Sequence, residues 1–256
     1  MESIRQRSKF GKTWSLWGFL IKPQIYNIFL FLFSLVLIVP LDFYITSKVS
    51  RLKGILRIGP HNKDVLSIIF GSLLGDAHAE KIAGGLGTRI NFYQEAVHVE
   101  YLYYLHKLFS NLGYCNPKIP AVTSRLGKKG KLRQIVRFRT WTYTSFNWIQ
   151  NLWYKNNIKQ VPANIAEYLT PLALAIWIMD DGCKVGKGLK FSTNSFSYNE
   201  CLILVKALND NFNLKASVQS AGSNDQYIIY IWKESMNDLR NIVSPYIIPE
   251  MKYKII

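Results

Sequence analysis

Two apolar stretches that each stop on an aspartate constrain this chain more than any other feature. The first reads Asp64-Val-Leu-Ser-Ile-Ile-Phe-Gly-Ser-Leu-Leu-Gly-Asp76, the second Leu172-Ala-Leu-Ala-Ile-Trp-Ile-Met-Asp-Asp181. Asp76 and Asp181 are 105 residues apart, and each has a small neighbour, in Gly75-Asp76-Ala77 and Asp180-Asp181-Gly182. A helix that is apolar all round must be buried. The small residues Gly71, Gly75, Ala173 and Ala175 let two such helices approach closely. A carboxylate at a helix C-terminus is disfavoured by ~0.3–1 kcal/mol, because the dipole is negative there. Two such ends side by side add repulsion. A divalent cation between them removes the conflict, and hard oxygen ligands suit Mg²⁺. One solvated aspartate after a buried helix needs no cation; its recurrence within matching repeats favours one.

The surrounding sequence repeats as well. In the first copy Asn62 or Asp64 caps the apolar helix, and short strands are expected near Lys81 and over 89–93. An amphipathic helix follows with Tyr101, Leu105, Leu108 and Leu112 on one face and Gly113 as its stop. Strands over 118–124 and 133–141 flank a loop at 125–132, and a helix over 145–154 closes the copy. After a polar linker at 155–167, Thr170 caps a helix with Pro171 at its first position. A strand at 189–193 precedes the capping-box sequence Ser197-Tyr-Asn-Glu200 and a helix presenting Leu202, Val205, Leu208 and Phe212. Strands at 216–220 and 226–232 and a helix at 234–243 complete it. Each copy reads helix, hairpin, helix, hairpin, helix. The expected organisation is a leader at 1–57, a first repeat at 58–160 and a second at 161–256.

Charge points to an anionic partner. Of a net +16, residues 1–57 carry +7 and the body +9, a footprint typical of nucleic-acid binding. Within 118–139 there are eight bases and no acid. Val136 and Phe138 alternate with Arg137 and Arg139, so one strand face can pack while the other meets phosphate or guanine edges. Arg125, Lys128, Lys129 and Arg133 belong to the same basic stretch; Lys184 and Lys190 are a thinner counterpart in the second repeat. The leader differs: residues 25–45 are almost wholly apolar, long enough for a membrane anchor, a cleaved targeting segment or an inert appendage. Three cysteines without CxxC spacing exclude a disulfide framework and a Cys-rich zinc site. Neither HExxH, GxxxxGK nor GxGxxG is present.

The segments Ile69-Phe-Gly-Ser-Leu-Leu-Gly-Asp-Ala77 and Leu174-Ala-Ile-Trp-Ile-Met-Asp-Asp-Gly182 resemble degenerate copies of the LAGLIDADG motif of homing endonucleases. The phrases LLGDA, YLTPLALAIWIMDDG and PYIIPEMKYK extend the similarity over roughly 63–254, in the two-motif monomeric branch of that family. The resemblance implies an α+β fold of two pseudo-symmetric αββαββα repeats, with the motif helices paired at the centre and antiparallel sheets forming a DNA-binding saddle. It implies metal binding by Asp76 and Asp181, with Asp180 tuning the local field. Lys254 is the implied lysine of the second centre. Alignment places Thr142 where the first centre's lysine is expected, with Arg139 as a substitute. The implied activity is site-specific cleavage of double-stranded DNA in intron homing, using Mg²⁺ with Mn²⁺ as a substitute, in a mitochondrion or plastid. The alternatives are a maturase that binds group I intron RNA and a membrane protein with a basic domain.

Overall fold

The computed structural model describes residues 52, 56–84, 86–127 and 130–256. The first half contains α1 (Lys63–Leu74), β1 (His78–Lys81), β2 (Thr88–Glu95), α2 (Val99–Asn111), β3 (Thr123–Leu126), β4 (Leu132–Arg139) and α3 (Asn147–Trp153). A short hairpin, β5 (Tyr154–Lys155) and β6 (Ile158–Lys159), leads to the second half. That half contains α4 (Pro171–Asp181), β7 (Gly182–Val185), β8 (Gly188–Phe191), α5 (Tyr198–Phe212), β9 (Ala216–Ser220), β10 (Tyr227–Ile231) and α6 (Met236–Val243). A 3₁₀ segment, Pro249–Lys254, follows. Both halves are therefore αββαββα, and their antiparallel sheets have matching orders, β1-β2-β4-β3 and β7-β8-β10-β9.

Local chemistry starts the helices where it should. The Asn62 side chain accepts from the Asp64 N–H at 2.7 Å, and Thr170 accepts from the Ala173 N–H at 3.1 Å ahead of Pro171. Ser197 and Glu200 close a reciprocal capping box on α5. Each cap satisfies N–H groups the helix cannot, a contribution of roughly 1 kcal/mol. Helix α2 stops at Asn111, so Leu112 stands 49% exposed instead of joining the core stripe.

Helices α1 and α4 form the central pair. A Cβ on Gly71 would lie 2.4 Å from the Ala173 carbonyl oxygen, and one on Gly75 2.4 Å from the Asp180 Cβ. The backbones meet too closely for any side chain there, which brings both aspartate-bearing ends to one place. Around them Phe70, Leu73, Ile176 and Trp177 are buried, and Trp177 stacks on Phe191 at 3.8 Å. The sheets cover this core with one face each. Ile90, Phe92 and Val136 are buried in the first, with Phe138 stacked on Phe92 at 4.6 Å. Leu189, Phe191, Ile229 and Ile231 do the same in the second.

Three local expectations change. Arg125 lies in β3, paired with Arg133, not in a loop. Strand β7 begins directly at Gly182 and pairs with β8, a strand the polar sequence Cys183-Lys184 concealed. The polar linker holds β5 and β6, paired Tyr154 with Lys159. The apolar run of the leader lies outside the described residues, and among the described residues no helix is long and apolar enough to cross a membrane. At the junction of leader and first repeat Arg57 donates to the Thr142 carbonyl at 3.0 Å. His61 sits 2.8 Å from Ser145 Oγ and 3.1 Å from Tyr114 OH.

Candidate active site and nucleic-acid interface

Asp181 is the last residue of α4, and Asp76 follows α1 by two residues. Because the two helices touch at Gly75 and Asp180, three carboxylates gather at one end of the pair. Asp181 is half-buried, and burial first, then the Asp76 charge, push its carboxyl up to about 7. Burial and the charges of Asp76 and Asp181 raise Asp180 well above the carboxylate range. Gln94 of β2, buried on the inner face of its sheet, donates from Nε2 to Asp76 Oδ2 at 2.6 Å and to Asp180 Oδ1 at 3.3 Å. It ties the two helix ends to the first sheet.

Each helix end also carries a lysine. Lys254 is buried and donates to the Met179 carbonyl and, at 3.0 Å, to the Asp180 carbonyl. Its counterpart in the first half is Lys159 of β6, which donates to the Gly75 carbonyl at 3.1 Å and the Ala77 carbonyl at 3.0 Å. Cations at helix C-termini satisfy orphan carbonyls and oppose the dipole. Burial lowers both ammonium groups, Lys159 to about 8, while the neighbouring aspartates hold them up. The alignment that put Thr142 in this place is corrected by that geometry. Thr142 lends its carbonyl to Arg57, and Arg139 stands on the sheet opposite Asn91.

Sequence reasoning missed Lys159, Gln94 and His98. His98, next to α2, lies in the field of Lys254 and Asp76, and its pKa is lowered chiefly by burial and next by Lys254. Gln94 had a legible signal, a polar residue at an inward register position after Ile90 and Phe92.

The donor set suits a hard divalent cation. Its side chains are carboxylates: burial raises Asp181 and Asp180, and the Asp76 charge adds to that rise. Among the described residues no group of three or more Asp, Glu, His or Cys side chains is arranged to hold a metal ion by itself. A hard cation held by one or two carboxylates, with water and phosphate oxygens in its remaining positions, needs no such group. Asp76 and Asp181 are the residues that would hold it.

The basic residues fall unevenly on the sheets. Arg137 and Arg139 are exposed on the outer face of β4, opposite Tyr93 and Asn91. Arg125 faces Arg133 across β3 and β4, and Arg133 binds Glu95 at 2.8 Å. Lys128 and Lys129 lie outside the described residues. Lys190 is on the outer face of the second sheet, paired with Cys183 and Tyr230. Lys184 pairs with Leu189 and so shares the opposite register face, apart from Lys190.

Comparison with known proteins agrees with this architecture. The family model described as the LAGLIDADG DNA endonuclease family matches residues 66–239. The cytochrome b mRNA maturase bI2 of Saccharomyces cerevisiae is 58% identical over 205 residues, covering 77% of this chain and 48% of that protein. The bI2 maturase of Debaryomyces hansenii is 50% identical over 196 residues, covering 77% of this chain and 75% of that protein. The chain thus spans about half the length of the Saccharomyces relative. Among solved structures, the homing endonuclease I-WcaI bound to its DNA recognition sequence aligns with a TM-score of 0.69 at 28% identity, over 76% of this chain and 87% of that one.

Proposed function

The chain belongs to the LAGLIDADG DNA endonuclease family, and from that premise we propose that it is an intron-encoded, site-specific endonuclease that cuts both strands of a DNA target as a monomer. The observation that carries this reading is the duplication of one centre: a carboxylate and a carbonyl-bound lysine at each of two touching helix ends. One chain so built supplies two centres for two strands. The solved relative bound to its DNA recognition sequence supports a duplex DNA target.

Mg²⁺, when bound, neutralises charge on the scissile phosphate and acidifies water. The chain's own residues prepare for that. Asp76 and Asp181 present the ligands, and Gln94 fixes the orientation of the Asp76 carboxylate. Lys159 and Lys254, locked on carbonyl oxygens, place fixed positive charge beside the phosphate path, where preorganised charge counts most. Arginines on the outer face of the first sheet supply affinity and register through phosphate and base contacts.

A second reading, assistance to splicing of a group I intron RNA, is favoured by the two relatives named as cytochrome b mRNA maturases. Those names also support residence in the mitochondrion. Incubating the full chain with Mg²⁺ and DNA of the host's intron-lacking allele tests the main reading. A mapped double-strand break is expected there. Intact DNA, together with tight binding of the intron RNA, would replace the main reading with the second.

A further inference from the structure

The inference that follows rests on the duplex DNA reading and concerns what each half of the target contains. The outer faces of the two sheets carry unlike chemistry. On the first, Arg125, Arg137 and Arg139 are exposed and make no ion pair among the described residues. Arg137 and Arg139 are two residues apart on β4, so their forks rise about 7 Å apart, close to two base steps.

Strand β10 takes the place of β4 in the second sheet. Its outward residues are Ile228 and Tyr230, with Gln219 opposite Ile228, and Ser217 and Lys190 opposite Tyr230. A Cβ on Gly188 would lie 2.4 Å from the Tyr230 ring and hydroxyl, and that hydroxyl donates to the Val185 carbonyl at 3.3 Å. The ring is therefore laid along the sheet and held there. Val185 at the edge is 41% exposed, and Trp232, packed edge-on against Tyr230 at 5.6 Å, is 44% exposed. The four strands of this sheet contain no arginine, and their outward residues offer Lys190, the Gln219 amide and a strip of apolar surface.

Guanine presents two acceptors in the major groove and selects for the arginine fork or the lysine ammonium. The thymine methyl is the apolar group there, and adenine takes a bidentate glutamine. We propose that the two sheets read chemically different half-sites. The first reads a half bearing guanines through Arg125, Arg137 and Arg139. The second reads an A·T-rich half, with Val185 and Ile228 against thymine methyls and Gln219 on adenine.

The test is selection of bound duplexes from a pool randomised across the footprint, using the full chain, followed by sequencing. One half of the selected site should be guanine-bearing, with a preference that relaxes in Arg137→Ala or Arg139→Ala. The other should be A·T-rich and relax in Gln219→Ala and Val185→Ser. Replacing thymine by uracil in the A·T half should weaken binding about fourfold per contacted methyl and leave the arginine half unaffected. A G·C preference under the second sheet, or indifference to uracil there, overturns the inference while leaving the endonuclease reading intact. Enrichment of no duplex overturns both. Binding of single-stranded intron RNA that is lost in Trp232→Ala would then make the apolar strip a base-stacking platform.

Discussion

Lys159 and Lys254 stand in the same relation to their helices: each donates to two carbonyl oxygens where a central helix gives out, one from β6 and one from the C-terminal 3₁₀ segment. Neither ammonium is paired in a direct ion pair among the described residues. The aspartates act on them through space. Lys159→Met and Lys254→Met should each slow single-turnover cleavage by about 10²–10³, the cost of one preorganised charge. Because each belongs to one centre, nicked circular DNA should accumulate before linear DNA in both variants. Equal slowing of the two strands, with no nicked species, would show that the lysines serve the helix pair as a whole.

Asp76→Asn and Asp181→Asn should abolish double-strand cleavage while DNA binding in a mobility-shift assay remains within a few-fold. The amide keeps the shape and loses the charge that a hard cation requires. Asp180→Asn is the contrasting case. It replaces a buried carboxyl that lies in the field of Asp76 and Asp181, so the metal-free protein should melt higher and cleavage should persist. Full cleavage by either Asp76→Asn or Asp181→Asn in Mg²⁺ would remove that residue from the metal site.

The electrostatics fix a pH dependence for the metal-free protein. Asp181 keeps its proton in the folded state up to about 7, against an ordinary 3.8. Across that window the folded state binds more protons than the unfolded, so stability falls as pH rises. Lys159 is lowered from 10.5 to about 8. Between those values the unfolded state holds the extra proton, so stability rises with pH. By themselves these two groups place a minimum in the melting temperature between about pH 7 and 8, and the raised Asp180 steepens the fall on the acid side. Asp181→Asn should make the acid limb shallower, and Mg²⁺ affinity, followed by calorimetry, should increase up to about pH 7 as the carboxylate gives up its proton. A melting temperature flat from pH 4 to 7 in the unaltered protein would contradict the burial of Asp181.

Much of this was legible because it is written locally. Asn62, Thr170-Pro171 and the Ser197–Glu200 box are caps that act within one helical turn, and α1 and α4 announce themselves by apolarity. That Asp76 and Asp181 would meet at one end of a helix pair was legible because the same ending occurs twice. Lys159 was hidden for a different reason. It follows Asp76 by 83 residues whereas Lys254 follows Asp181 by 73, so the two repeats are out of step at this point. Its role is set by carbonyl oxygens that only the tertiary fold brings within reach. Lys184 illustrates the same limit: the sequence placed it with Lys190, and the register of β7 against β8 turned it to the other face.

Strand β4 allows packing and binding to be separated by neighbouring residues. Val136 is fully buried on the inner face, and Arg137 is exposed on the outer. Val136→Asp puts a charge on the fully buried inner face of β4, opposite Gln94, a change that should unfold a domain with only about 5–15 kcal/mol of stability. Arg137→Ala removes no packing and should leave the melting curve within about 0.5 kcal/mol of the original. Its effect should appear in DNA binding alone. A salt titration identifies the contact: a lost phosphate contact lowers the log–log slope by ~1. A lost guanine contact leaves that slope unchanged and costs ~1–3 kcal/mol at one base pair. Undiminished binding by both Arg137→Ala and Arg139→Ala would show that the outer face of β4 does not meet the target, and a folded Val136→Asp protein would show that its inner face is not core.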